Sequence, residues 1–238
     1  MNAPAIASVA RPRSGERSAL LALALLVPAP SIGAAFGLVL FPGTLGSVVY
    51  GLCKVWMFAL PALWWLLIDK QRPSLSPARL GGFGPAIMLG VAISAIIFAA
   101  YFTVGVDLIE SDTIKAVAAQ NKLTDPATYL ALCAYLIFIN SVLEEYVYRW
   151  FIFRKCEHFM PAWAAVLVSA ACFTVHHVIA LKAQMNWTVT IIGSAGVFTG
   201  GAVWSWLYLR YRSVWPGYVS HAIVDVAIFI LGYKLIFA

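Results

Sequence analysis

The sequence predicts an all-α protein, a polytopic bundle of about seven membrane-spanning helices, with room for six to eight. Three observations carry that prediction. Of the 238 residues, 62% are hydrophobic and only 11% charged, against about a quarter charged in an ordinary soluble domain. The apolar residues fall into runs that suit the ~20 residues a helix needs to cross a bilayer. The basic residues gather at the ends of those runs, as they do in membrane proteins. Only a solvent without water tolerates so much apolar surface, so that solvent is lipid.

Taken in order, Met1 to Arg17 form a polar tail with Arg11, Arg13 and Arg17, expected to be disordered. Residues 18–127 hold the N-terminal spans. The run from about Ala19 to Phe41 is longer than the ~7–15 residue core of a secretory signal, and more spans follow, so it reads as span one. Pro28 and Pro30 should kink it. Span two covers about Ser47 to Ile68, with Lys54 inside it and a basic loop of Lys70, Arg72 and Arg79 after it. Span three runs from about Gly84 to Val104. The polar stretch 105–127 contains Asp107, Glu110, Asp112 and Asp125, and within it Ser111 to Leu123 reads as a short capped helix at the interface.

Residues 128–238 form the second half. Span four is expected over about Thr128 to Phe153, span five over Ala162 to Ala180, span six over Trp187 to Leu209, and span seven over Val214 to Phe237. Gly196 and Gly200 make a GxxxG pair in span six that should let neighbouring backbones approach. With the N-terminus inside, eleven basic residues lie on the cytoplasmic side against Lys115, Lys122, Lys182 and Lys234 on the other. That asymmetry predicts N-in, C-out.

Composition also excludes function classes. A net charge of +6 could suggest nucleic acid, but no basic face with stacking aromatics accompanies it. No long polar linker leads to a soluble partner domain. Cys53, Cys133, Cys156 and Cys172 are scattered without a CxxC pair and read as small packing residues. Nothing in the sequence specifies an oligomeric state.

The residues that should not be in lipid carry the functional argument. Glu144 and Glu145 lie inside span four, His176 and His177 inside span five, and His221 and Asp225 inside span seven. Each charge at mid-helix costs at least ~2.5 kcal/mol on insertion scales, so such groups are functional candidates by default. Glu145 and Arg149 stand four apart, acid first, which suits an ion pair. Glu144 points about 100° away, with Asn140 one turn earlier on its own face and able to hydrogen-bond it. His221 and Asp225 share a face at the same four-residue step. A carboxylate beside a histidine in low dielectric can take a proton from water. A second histidine can hydrogen-bond the resulting oxyanion.

At these residues the sequence resembles the CAAX-protease and bacteriocin-processing family of intramembrane glutamic endopeptidases. The family pattern is EExxxR, then FxxxH, then HxxxN or HxxxD, on three helices. Here it is met by Glu144, Glu145 and Arg149, then Phe173 and His177, then His221 and Asp225. Ser213-Val214-Trp215-Pro216 also resembles the family's approach to the last helix. The resemblance covers about Thr128 to Leu231. It implies that Glu144 and His177 activate water and that His221 with Asp225 forms the oxyanion site, while Glu145 and Arg149 hold the architecture. One departure is chemical. Prenyl-protein endopeptidases carry asparagine where this chain has Asp225, and an ionised aspartate cannot donate to an oxyanion. Asp225 then orients His221 or stays protonated.

Plainer readings stand beside these. Glu145 with Arg149 suits helix packing. His176 suits a hydrogen bond within the bundle, His158 a solvated loop, and Lys54 either snorkelling or pairing with an acid. The cluster as a whole could be inert polar packing. The implied activity is hydrolysis of a peptide bond in a membrane-associated protein or peptide, without a cofactor, in what the short loops suggest is a bacterial inner membrane. Zinc held by His177, His221, Glu144 and Asp225 is the weaker alternative, since no HExxH or other compact ligand pair exists. A proton-coupled transporter would use the same groups as a relay, but no matching halves are found. A non-catalytic immunity or sorting protein would need none of them.

Overall fold

The computed structural model describes residues 14–41 and 43–238. Most of the polar tail, with Arg11 and Arg13, lies outside the described residues. Its last three residues, 15–17, already belong to the first helix. Eight helices follow in chain order: α1 (Gly15–Leu40), α2 (Thr44–Ile68), α3 (Phe83–Leu108), α4 (Ser111–Gln120), α5 (Pro126–Cys156), α6 (Ala162–Gln184), α7 (Trp187–Tyr211) and α8 (Val214–Phe237). All but α4 are long and apolar enough to cross a membrane, and the protein is an integral, multi-pass membrane protein.

The distribution of side chains is inverted relative to a soluble bundle. Leu52, Val55, Met88, Ile96 and Ile191 are each more than 60% exposed, whereas Glu145 and Arg149 are fully buried. Apolar groups face outward because lipid is their solvent, and polar groups turn inward because only the protein can satisfy them there.

The helices pack as close pairs, α6 on α7, α3 on α8 and α1 on α2, with α5 running between α2, α6, α7 and α8. That central position gives α5 a wall of neighbours on all sides of its polar residues. Local sequence shapes the pairs. Helix α1 breaks at Val27, just before Pro28, because a proline ring cannot fit against the preceding turn. Gly201 of α7, rather than the predicted Gly196 and Gly200, sits at the close approach to α6. A Cβ on Gly201 would meet the backbone of Ala170 and the ring of Phe173 at 3.3 Å, while one on Gly196 would meet nothing within 4 Å. The GxxxG spacing marks the face only approximately, and the neighbour decides which glycine is needed.

Two other expectations are adjusted. Helix α4 ends at Gln120 rather than Leu123, and its leading residue Glu110 makes no side-chain cap. The cap belongs instead to α5, where the Asp125 carboxylate accepts from the Thr128 N–H at 2.8 Å and from its hydroxyl at 2.9 Å. At the opposite end, the loop between α2 and α3 plugs the base of α8. The Ser213 hydroxyl donates to the Ser76 carbonyl at 2.6 Å, and the Trp215 indole donates to the Leu75 carbonyl at 2.8 Å. This fixes where α8 starts, and so the depth of everything it carries.

Candidate active site

Helix α5 is not wound uniformly. Two stretches, Leu136–Asn140 and Tyr146–Phe153, have the wide π-type winding, and a single tight segment, Ser141–Glu145, lies between them. Such widened turns free backbone acceptors and re-aim side chains, and they recur at functional sites. Here the Leu136 carbonyl accepts the Ser141 N–H across the widened turn, and the Ser141 hydroxyl lies 2.7 Å from the same carbonyl. The tight segment carries Ser141, Glu144 and Glu145, all buried.

Around that segment the polar residues form two layers. The layer nearer the start of α8 is built on Glu145. Its Oε1 lies 3.3 Å from Arg149 Nη1 and 3.1 Å from Nδ1 of His221. Arg149 also donates from Nη2 to the Gly201 carbonyl at 3.2 Å, and its guanidinium lies 4.7 Å from the centre of the Phe173 ring and 5.3 Å from that of Trp204. His221 stacks on Trp204 with ring centres 3.8 Å apart and planes within 15°. The arginine is thus held by a carboxylate, a carbonyl and two aromatic faces, an arrangement a planar guanidinium suits and an ammonium does not. Gly217 gives the carboxylate its space, since a Cβ there would stand 2.5 Å from Glu145 Oε2.

The second layer is built on Glu144. Its carboxylate, a ring nitrogen of His176 and a ring nitrogen of His177 all lie within 4.8 Å of one another. Nδ1 of His177 is 2.8 Å from the Phe173 carbonyl. A carbonyl only accepts, so Nδ1 carries the proton and Nε2 of the neutral ring keeps a lone pair. His176 meets the Tyr148 hydroxyl through Nδ1 at 3.1 Å, the two rings stacked within 11°.

Asn140 joins this layer by a route the sequence did not suggest. Its Oδ1 accepts from the Lys54 ammonium at 3.2 Å, and the same ammonium lies 3.8 Å from Glu144 Oε1. Asn140 and Glu144 therefore share one cation supplied by α2.

Asp225 stands between α8 and α5. Its Oδ1 is 3.7 Å from His221 Nε2, and its Oδ2 is 2.6 Å from the Ser141 hydroxyl. The first distance is too long for a hydrogen bond and short enough for an electrostatic contact.

The structure thus brings Glu144 beside His177, Glu145 beside Arg149 and His221, and Asp225 beside His221. Helix run-up alone leaves His177 roughly 24 Å and His221 roughly 10 Å into their spans. The two layers take up part of that difference, about 6 Å of it by one helical turn. Phe173, one turn before His177, is the residue whose ring faces His221, at 6.0 Å. Sequence reasoning missed Ser141, Tyr148, Trp204, Gly201 and Gly217, all ordinary residues of apolar helices. It left Lys54 either snorkelling or pairing with an acid, and the structure places it by the acid Glu144.

The donor set raises the question of a metal, since Glu144, His176 and His177 could each supply one ligand. Lys54 argues against it. A zinc ion about 2 Å from Glu144 Oε1, the oxygen that lies 3.8 Å from the ammonium, would stand at most about 6 Å from that ammonium. A dication and an ammonium at that distance repel by about 5 kcal/mol at an effective dielectric constant of ~20.

Residues 126–227 match the family described as Type II CAAX prenyl endopeptidase Rce1-like. Helices α5, α6 and α7 and the first half of α8 lie within the match, and α1 to α4 lie outside it. No curated protein and no solved structure matches the chain.

Proposed function

We infer that this chain, which over residues 126–227 belongs to the CAAX-protease family, is an intramembrane glutamic endopeptidase that hydrolyses a peptide bond in a membrane-associated protein or peptide. The observation that carries the reading is the buried carboxylate of Glu144 standing with the two histidine rings of α6, all three reactive atoms within 4.8 Å. A water molecule between Glu144 and Nε2 of His177 would lose a proton to the carboxylate as its oxygen attacks the scissile carbonyl carbon. The carbonyl π electrons move to oxygen, and the tetrahedral intermediate carries that charge. His221 donates to it from Nε2 while Nδ1 donates to Glu145. Collapse re-forms the carbonyl and breaks the C–N bond, and the proton held by Glu144 passes to the departing amine.

The two layers divide the work. Glu145 and Arg149 hold His221 and the α7 backbone, which makes them positioning groups. Asp225 orients His221 from the far side. The reaction runs without a metal in this reading, and the ammonium beside Glu144 is what supports that. The substrate enters from the lipid, the charge asymmetry of the loops supports a cytoplasmic N-terminus, and the short loops suit a bacterial inner membrane.

The test is cleavage by detergent-purified protein of internally quenched peptides, one ending in a prenylated CAAX sequence and others carrying a single transmembrane anchor. Wild type and Glu145→Asp are expected to cleave, Glu144→Gln to show less than a hundredth of wild-type turnover, and EDTA to change nothing. Unchanged turnover in Glu144→Gln refutes the mechanism. Loss of wild-type turnover on chelation, restored by zinc, replaces it with a metalloprotease.

A further inference from the structure

Lys54 is the one charged residue within α2, and its side chain is 28% accessible. Its helix lies outside the family-matched residues. Within the bundle, the ammonium is placed by four groups: Asn140 at 3.2 Å, Glu144 at 3.8 Å, and the rings of Tyr50 and Phe58 on its own helix, 5.9 Å and 5.6 Å to their centres. It also lines a cavity of about 60 Å³ between α1, α2 and α6, on whose wall His176 stands as well.

The charges around the site leave Lys54 a distinct task. Arg149 is committed to Glu145 at 3.3 Å, on the far layer. The histidines of α6 turn their Nδ1 atoms to other groups, His177 to the Phe173 carbonyl and His176 to the Tyr148 hydroxyl, and in the proposed mechanism His177 faces Glu144 as a neutral ring. From α8, His221 is engaged with Glu145, and Asp225 with Ser141. Glu144 is 7% accessible at its side chain. A carboxylate that buried, with only neutral neighbours, would take up a proton, and a protonated acid cannot act as a base. The ammonium of Lys54 is the cation that prevents this.

We propose that Lys54 is a positioning residue of the site: from α2 it holds Glu144 ionised and oriented toward His177 between turnovers. This rests on the reading of Glu144 as the base, so the experiment includes a readout independent of cleavage. Dicyclohexylcarbodiimide is a lipid-soluble reagent that adds to protonated carboxyl groups and spares carboxylates. Protein in detergent is treated with it near pH 7, and the peptide holding Glu144 and Glu145 is fragmented in a mass spectrometer to locate the adduct.

Wild type should carry little adduct on Glu144. Lys54→Met should raise it at least fivefold, and Lys54→Arg should return it toward the wild-type level. On the cleaved peptide, Lys54→Met should lower kcat at least tenfold with KM within threefold. The acidic limb of its kcat/KM profile should move to higher pH. A merely structural lysine would move neither the adduct nor that limb. Equal labelling of Glu144 in wild type and Lys54→Met overturns the proposal. So does a failure to fold in both Lys54→Met and Lys54→Gln, which would make the lysine a packing element. If labelling behaves as expected while Glu144→Gln still cleaves, the catalytic reading falls and the charge pairing stands.

Discussion

Removing the guanidinium of Arg149 is the sharpest test of how this bundle tolerates its charges. The side chain is fully buried, as is that of Glu145, and the closest approach between them is 3.3 Å. At an effective dielectric constant of ~20, their attraction is about 5 kcal/mol. Arg149→Met keeps much of the volume but leaves the Glu145 carboxylate with His221 alone, its Oε2 already lacking a hydrogen-bond partner among the described residues. Breaking one half of a buried pair costs about 3–5 kcal/mol because the remaining charge is uncompensated. Most of that cost should vanish in Glu145→Gln/Arg149→Met, where neither charge is left. The assay is reversible unfolding in mixed detergent micelles, followed by tryptophan fluorescence, with both single variants and the double variant forming a cycle. A loss below about 1 kcal/mol in Arg149→Met, or a double variant as unstable as the sum of the singles, would show that the pair is not coupled as described.

Two further outcomes follow from other parts of the fold. Gly217→Ala should destabilise the protein by about 2 kcal/mol or more in the same unfolding assay, since the added methyl would stand 2.5 Å from Glu145 Oε2 and overpacking of this kind costs about 1–3 kcal/mol; Gly196→Ala, with open space around it, should be neutral. At the start of α5, the Thr128 N–H and hydroxyl hold the Asp125 carboxyl below its ordinary value of 3.8. A group lowered in the folded state stabilises above the ordinary value and loses that contribution as pH falls through the folded one. The protection of the Thr128 amide, its exchange rate relative to the intrinsic rate at the same pH, should therefore fall as pH drops below about 4, and Asp125→Asn should remove that loss.

The site was legible in the sequence to the extent that its cost was. A charge inside a span is expensive wherever it points, so Glu144, Glu145, Arg149, His221 and Asp225 stood out without any knowledge of packing. The four-residue steps gave the pairs that lie on one helix, Glu145 with Arg149 and His221 with Asp225, because helical geometry is local. The link between His221 and Glu145 was not legible, since it joins α8 to α5 and depends on where each helix begins. Lys54 shows the same boundary. Its presence in an apolar run was visible, but its partners Asn140 and Glu144 lie more than eighty residues away. No periodicity spans such a distance.

By itself, the sequence determined an inside-out helical bundle of about seven spans, because the free energy of moving residues between water and lipid is set by composition along each run. It also determined which side chains cannot face that lipid. Only the tertiary structure decided how those side chains divide into two layers, which acid each cation serves, and which glycine lets α7 reach α6. Those outcomes depend on the relative depth and rotation of helices far apart in the chain. Depth and rotation are fixed by contacts such as Ser213 with Ser76 and by the uneven winding of α5.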